Sequence, residues 1–181
     1  MLIYIFCAAV VMHSGAAKDF MGPFDTIIKQ PFICEDEGTR EIYLNETIIR
    51  KTGKRSFTLS TKVYLTLPFS DDLQIKANFA VWGNGGWRPN FLTLTGPACS
   101  LFRDRAPDLF IEAAKASNLP EECPIANGHY DWVGIDAMPK IDIEQLPYNK
   151  YKIDIEFYND GILVGCIGFI TLIVPKEKKS G

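Results

Sequence analysis

Histidine is almost missing from this chain: there are two in 181 residues, His13 and His129. A Ser/His/Asp or Cys/His nucleophilic site has to be built on one of them. His13 follows an apolar leader, and His129 sits in a strand-like segment between Gly128 and Tyr130. No Cys-x-x-Cys pair and no Cys/His cluster occurs, so the common zinc frameworks are not expected. Charge of one sign is lacking too. The formal net charge of −3 is close to balance and argues against a general nucleic-acid role. No apolar run is long enough to span a bilayer. Internal repeats and low-complexity linkers are likewise missing, which points to one domain.

Acid–base equipment is thin. Asp154 and Glu156 share an outward strand face with Lys152, and Asp71-Asp72 falls in a turn. Neither reads as a carboxylate pair held in a cleft. The glycines of Gly83-Asn84-Gly85-Gly86 lack the Lys-Ser/Thr that follows in a phosphate loop. The chain is therefore expected to be no enzyme, with no cofactor and no metal.

What is present begins with a leader. Residues from Met1 to Met12 are nearly all apolar, and Ser14, Gly15, Ala16 and Ala17 follow. A short apolar run ending in small residues is a secretory signal. Residues 1–17 are expected to be the signal peptide, and 18–181 a single domain. Cys34, Cys99, Cys123 and Cys166 remain after the leader. In an exported chain they read as disulfides, whose connectivity the spacing leaves open. Asn45-Glu46-Thr47 is an N-glycosylation sequon. The expected location is a secreted or endolysosomal space.

The dominant hydrophobic period is two. Phe57, Leu59, Thr61, Val63 and Leu65 alternate with mostly polar residues. Leu73, Ile75, Ala77, Phe79 and Val81 repeat the pattern, as do Tyr151, Ile153, Ile155 and Phe157. Each run has one face for a core and one for water. Residues 162–174 are apolar on both faces, as in a central strand. Thr52-Gly53-Lys54, Asn84-Gly85-Gly86 and Asn159-Asp160-Gly161 have hairpin-loop chemistry. The expected fold is all-β, a two-sheet antiparallel sandwich. One short helix is expected near residues 107–117, where Pro107 suits the first turn and Asn118-Leu119-Pro120 the stop. Its apolar stripe, with Leu109 and Phe110, either plugs one end of the sandwich or touches a ligand.

The order of Cys123-Pro124-x-x-x-Gly128-x-Tyr130, Pro139-Lys140-Ile141, Leu146-Pro147, Tyr151-Lys152-Ile153 and Gly165-Cys166-Ile167 resembles the ML family, the MD-2-related lipid-recognition domains. The downstream half looks most like the ganglioside-activator branch. Cys99 to Arg105 is similar to a related insect group that includes chemosensory proteins. The chain has fewer cysteines than the ganglioside activators. The resemblance implies an immunoglobulin-like sandwich, splayed at one end, with lipid tails entering between the sheets. It also implies the pairings Cys34–Cys166 and Cys99–Cys123.

On that reading the protein is a monomeric lipid carrier, with transient membrane or receptor contact. The cavity wall is expected to be Leu65, Phe79, Val81, Leu94, Tyr130, Ile153, Ile155, Phe157 and Phe169. Solid core is the other reading of each. Trp82, Trp87, Phe102 and Phe110 are expected at the cavity mouth. Arg103 and Arg105 either meet a headgroup or balance Asp104 and Asp108. The competing function is an extracellular module with a filled interior that binds a receptor or glycan.

Overall fold

Alternation turns directly into strands. The computed structural model describes residues 21–176, so the expected leader, residues 1–17, lies outside the described residues. Strands β1 (Phe24–Phe32), β2 (Ile42–Lys51), β3 (Phe57–Leu65), β4 (Gln74–Gly83) and β5 (Gly86–Pro97) come first. Helices α1 (Ala98–Arg105) and α2 (Pro107–Ala116) follow, then β6 (Gly128–Asp136), β7 (Asn149–Asn159) and β8 (Ile162–Pro175). In β3, Leu59, Thr61, Val63 and Leu65 are buried while their neighbours are half-buried. The strands form a five-stranded sheet, β1-β8-β7-β4-β5, and a three-stranded sheet, β2-β3-β6, all antiparallel. The chain is thus an all-β two-sheet sandwich. Strand β8, apolar on both faces, lies inside the larger sheet between β1 and β7.

Two of the expected hairpin turns have the backbone their residues favour. Asn84 and Gly85 have φ of 51° and 80°, and Asp160 and Gly161 have 48° and 79°. Positive φ at both central residues matches the right-handed twist of the flanking strands, and Asn, Asp and Gly adopt it at least cost.

The expected helix is α2, with Pro107 in its first turn and Phe110, Ala113 and Ala114 buried. The expectation of one helix is corrected to two. α1 escapes a sequence reading because it spans 8 residues and the residue at its N-cap, Pro97, has no side-chain hydrogen-bonding group. Its cap comes from far away. The Ser100 amide donates to Asp71 Oδ1 at 2.7 Å, and the Ser100 hydroxyl donates to Asp71 Oδ2. An acidic side chain at a helix start satisfies an orphan amide and opposes the helix dipole favourably.

The sheets meet along one edge and part along the other. β2 lies close to β8 and β1. There the Glu41 amide donates to the Val164 carbonyl at 2.7 Å, and Cys34–Cys166 ties the exit of β1 to β8. On the opposite side α2 packs on β6 and α1 on β4 and β5. The helix pair acts as a wedge. Cys99–Cys123 closes the loop that contains both helices. Both pairings are those implied by the resemblance. Closing loops with sequence separations of 132 and 24 residues contributes about 3 to 5 kcal/mol each in the chain-entropy treatment.

Candidate functional site

Two adjoining apolar cavities lie on the inner face of the larger sheet, one facing the smaller sheet and one facing the helices. The first, of about 140 Å³, sits beneath α2 between β3 and β6 on one side and β7 and β8 on the other. The second, of about 150 Å³, lies between the larger sheet, α1 and the segment carrying Pro139 and Ile141. Ile28, Ile75, Phe102, Leu109, Ile155 and Phe169 line both, so the two cavities adjoin. An apolar cavity of about 150 Å³ stays dry and accepts a benzene molecule. The site therefore offers two compartments of that size in series. Such voids cost stability, because their lining atoms lose packing partners.

The polar side chains around the first cavity are already engaged. Trp132 Nε1 donates to Ser117 Oγ at 3.0 Å, and the Tyr130 hydroxyl donates to the Ala126 carbonyl at 2.7 Å. At the second cavity, Arg105 Nη1 donates to the Asp142 carbonyl at 2.8 Å. Its backbone carbonyl accepts from the Asp142 amide at the same distance. Arg105 thus ties the 141–143 segment across that end of the sandwich.

The sequence-derived wall residues divide as follows. Leu65, Tyr130 and Phe157 line the first cavity, Phe79, Leu94 and Ile153 the second, and Ile155 and Phe169 both. Val81 is corrected: it lines neither and packs against the core near the hairpin end. A register shift between Phe79 and Val81 interrupts the alternation just before it. Among the expected mouth residues, Phe102 lines both cavities. Phe110 is corrected from mouth to core, being 1 % exposed and edge-on to Phe102 at 5.8 Å. Trp82 and Trp87 are corrected from the cavity mouth to the tip of the β4–β5 hairpin. They face each other across the strands at 5.1 Å, with Lys150 Nζ 4.4 Å above the Trp82 ring. This is an aromatic clasp with a cation–π contact.

Sequence reasoning missed Ile28, Ile75 and Trp132 as lining residues; Leu109, on the helix stripe left open between plug and ligand contact, lines both cavities. Ile75 was visible in the alternation of β4. Trp132 was not, because a half-buried strand aromatic reads equally as core. Arg103 pairs with Asp104 at 3.0 Å rather than facing either cavity. Asn45 is exposed on β2, and its side-chain carbonyl accepts from the Glu46 amide at 2.9 Å. His129 is exposed and packs its ring 4.6 Å from Tyr64, which stacks on Tyr43 at 4.7 Å.

Tyr151 and Asp154 have shifted titration. Burial pushes the Tyr151 phenol up to about 12, and its hydroxyl donates to the Pro147 carbonyl at 2.9 Å. Burial also raises the Asp154 carboxyl, with Lys152 opposing the shift. Asp154 lies with Cys34 and Cys166 in the one cluster of metal-ligand spacing among the described residues. The two sulfurs there are bonded to each other, so they are not thiolate ligands.

The chain matches no protein-family model and no curated protein. Among the described residues, no helix is long and apolar enough to cross a membrane. Two disulfides fit an oxidising environment.

Proposed function

We propose that the protein is a secreted or endolysosomal carrier that holds a small apolar or single-chain amphiphilic molecule between its sheets. The observation that carries this reading is the pair of adjoining apolar cavities that share six lining residues. Removing each methylene from water contributes about 0.8 kcal/mol, and the wall of the first cavity, with its side-chain polar groups already bonded, adds no desolvation penalty. The two-sheet fold and disulfide pairing support placing the chain with the ML family. The cavity sizes favour a single chain or a compact molecule over a lipid with several acyl tails.

Catalysis has no part in this reading. The exposed His129 packs tilted against the Tyr64 ring, and the cysteines serve as cross-links. The hairpin tip, with Trp82, Trp87 and Lys150, is suited to brief contact with a membrane interface, where amphipathic rings and cations are favoured. A glycan on Asn45 fits its exposure and the proposed compartment, and a mass loss on treatment with PNGase F tests it.

The second reading, a receptor- or glycan-binding module, is favoured by the Tyr43–Tyr64–His129 row on the outer face of the smaller sheet. Native mass spectrometry of protein secreted from its own cells separates the two. A co-purifying small molecule, or uptake of a naphthylamine fluorophore with a blue-shifted emission, supports the carrier. Empty spectra and no uptake overturn it in favour of the module.

A further inference from the structure

A carboxyl group stands beside the Cys34–Cys166 disulfide. Register places Glu156 of β7 opposite Cys166 of β8, and Asp154 opposite Gly168. Side chains two apart in a strand share a face, so Asp154, Glu156 and Cys166 point the same way. One oxygen of the Asp154 carboxyl and the two sulfurs all lie within 4.8 Å of one another. Asp154 is half-buried, and both cysteines are buried. The two cysteines also line a surface groove of about 220 Å³ together with the exposed Ile33 and Asn45.

The charges around this carboxyl are mostly of its own sign. Burial raises its titration; Glu156 and Glu35 add to the shift, and Lys152 opposes it. Lys152 Nζ lies 4.5 Å from the centre of the Phe32 ring. On the β4 side Asn78 is opposite Asp154, and Lys76 pairs with Glu156 at 3.3 Å. The Tyr158 hydroxyl donates to Glu156 at 2.9 Å. On the β8 side the opposite residue is the uncharged Gly168.

Reduction by a dithiol begins when its thiolate attacks one sulfur. The S–S bond breaks, and the electron pair leaves on the other sulfur as a thiolate. The second thiolate of the reductant then displaces the sulfur still bound to it and closes a cyclic disulfide. The two protein thiolates take up protons from water. Asp154 is close to both sulfurs, so whichever leaves carries its charge beside the carboxylate. A like charge disfavours the ionised thiol, and a thiol of higher pKa leaves more slowly.

We infer that Asp154 is an electrostatic guard of the Cys34–Cys166 bond, its carboxylate slowing reductive cleavage by opposing the charge that forms on either sulfur. This role goes beyond the carrier reading and does not rest on it. The guarded bond ties the exit of β1 to β8 near the edge where the sheets meet, so the guard keeps that edge closed in the presence of small thiols.

The test is reduction by dithiothreitol at neutral pH, stopped by alkylation, with Cys34, Cys166, Cys99 and Cys123 followed separately by peptide mass spectrometry. In Asp154→Asn the Cys34–Cys166 bond is expected to open about tenfold faster than in wild type, while Cys99–Cys123 is unchanged. Lys152→Gln removes the opposing cation and is expected to slow the opening. With a phosphine reductant, which works in acid, the advantage of Asp154→Asn is expected to vanish as pH falls through the carboxyl's titration, because the wild-type side chain is then neutral too. Asp154→Asn is expected to melt no lower than wild type, which separates lost repulsion from loosening. Equal rates in wild type and Asp154→Asn overturn the guard, as does equal acceleration of both disulfides or an advantage that ignores pH. Should Asp154→Asn fold poorly, Lys152→Gln decides alone: slower opening supports the guard, and unchanged or faster opening overturns it.

Discussion

Gly165 of β8 lies directly against the Ile42 carbonyl at the start of β2; a Cβ on Gly165 would collide with that oxygen. This contact lies beside the Glu41–Val164 backbone hydrogen bond, where the two sheets touch. It forms one edge of the wedge whose other edge is held apart by α1 and α2. The cavities depend on both edges, because a parallel stack of sheets with these side chains would interdigitate and fill.

Gly165→Ala is therefore expected to destabilise the protein by about 1 to 3 kcal/mol, as overpacking against backbone does. For a domain of this size each kcal/mol lowers Tm by about 2 to 4 °C. Thermal melts under oxidising conditions check it. An unchanged Tm would show that β2 and β8 are free to shift.

Asp71→Asn removes the charge that caps α1. The hydrogen bonds from the Ser100 hydroxyl and amide hold the Asp71 carboxyl below its usual range. Its folded-state pKa is thus below the unfolded one. The stabilisation is present above the ordinary carboxylate range and fades as pH falls through it. Asparagine can still accept from the Ser100 amide, so only the charge–dipole part is lost, about 0.3 to 1 kcal/mol. Melts of both proteins are expected to differ at neutral pH and converge in acid; a constant gap across pH would rule out the carboxylate as the cause.

Asp154→Asn has the opposite sign. Burial raises this carboxyl in the folded state, so keeping it charged costs stability above its titration range and the cost disappears as pH falls. The variant is expected to melt higher than wild type at neutral pH, with the gain shrinking on acidification. A lower melting temperature at pH 7 would mean that the contact with Lys152 outweighs burial.

Ala113 lines the first cavity from α2 and is 3 % exposed. Ala113→Leu is expected to fill part of that space, raising Tm slightly while weakening fluorophore uptake about tenfold or more. Undiminished uptake would place the ligand elsewhere, and loss of uptake with a collapsed Tm would mark simple overpacking.

Much of the architecture was legible in the residues themselves. Period-two alternation is a local property, since successive side chains point to opposite faces whatever the strand pairs with. The β3, β4 and β7 patterns therefore announced a half-buried sheet, and the two-sided β8 run an interior strand. Asn-Gly and Asp-Gly turns and the α2 boundaries are equally local. α1 was not legible, because its capping group stands 29 residues away in sequence.

The tertiary structure alone decided how far apart the sheets stand and what lies between them. Inward-facing Ile155, Phe157 and Phe169 have the same alternation whether they meet other side chains or empty space. That outcome is set by the β2–β8 contact, the helix wedge and the two cross-links, all of them long-range. The same limit explains the corrected aromatics. A tryptophan near a turn reads as a gate, yet Trp82 and Trp87 face each other at the hairpin tip because cross-strand register puts them there. Buried Thr26, whose hydroxyl has no hydrogen-bond partner, belongs to this class too, since a hydroxyl's hydrogen bonds depend on neighbours that only folding brings within reach.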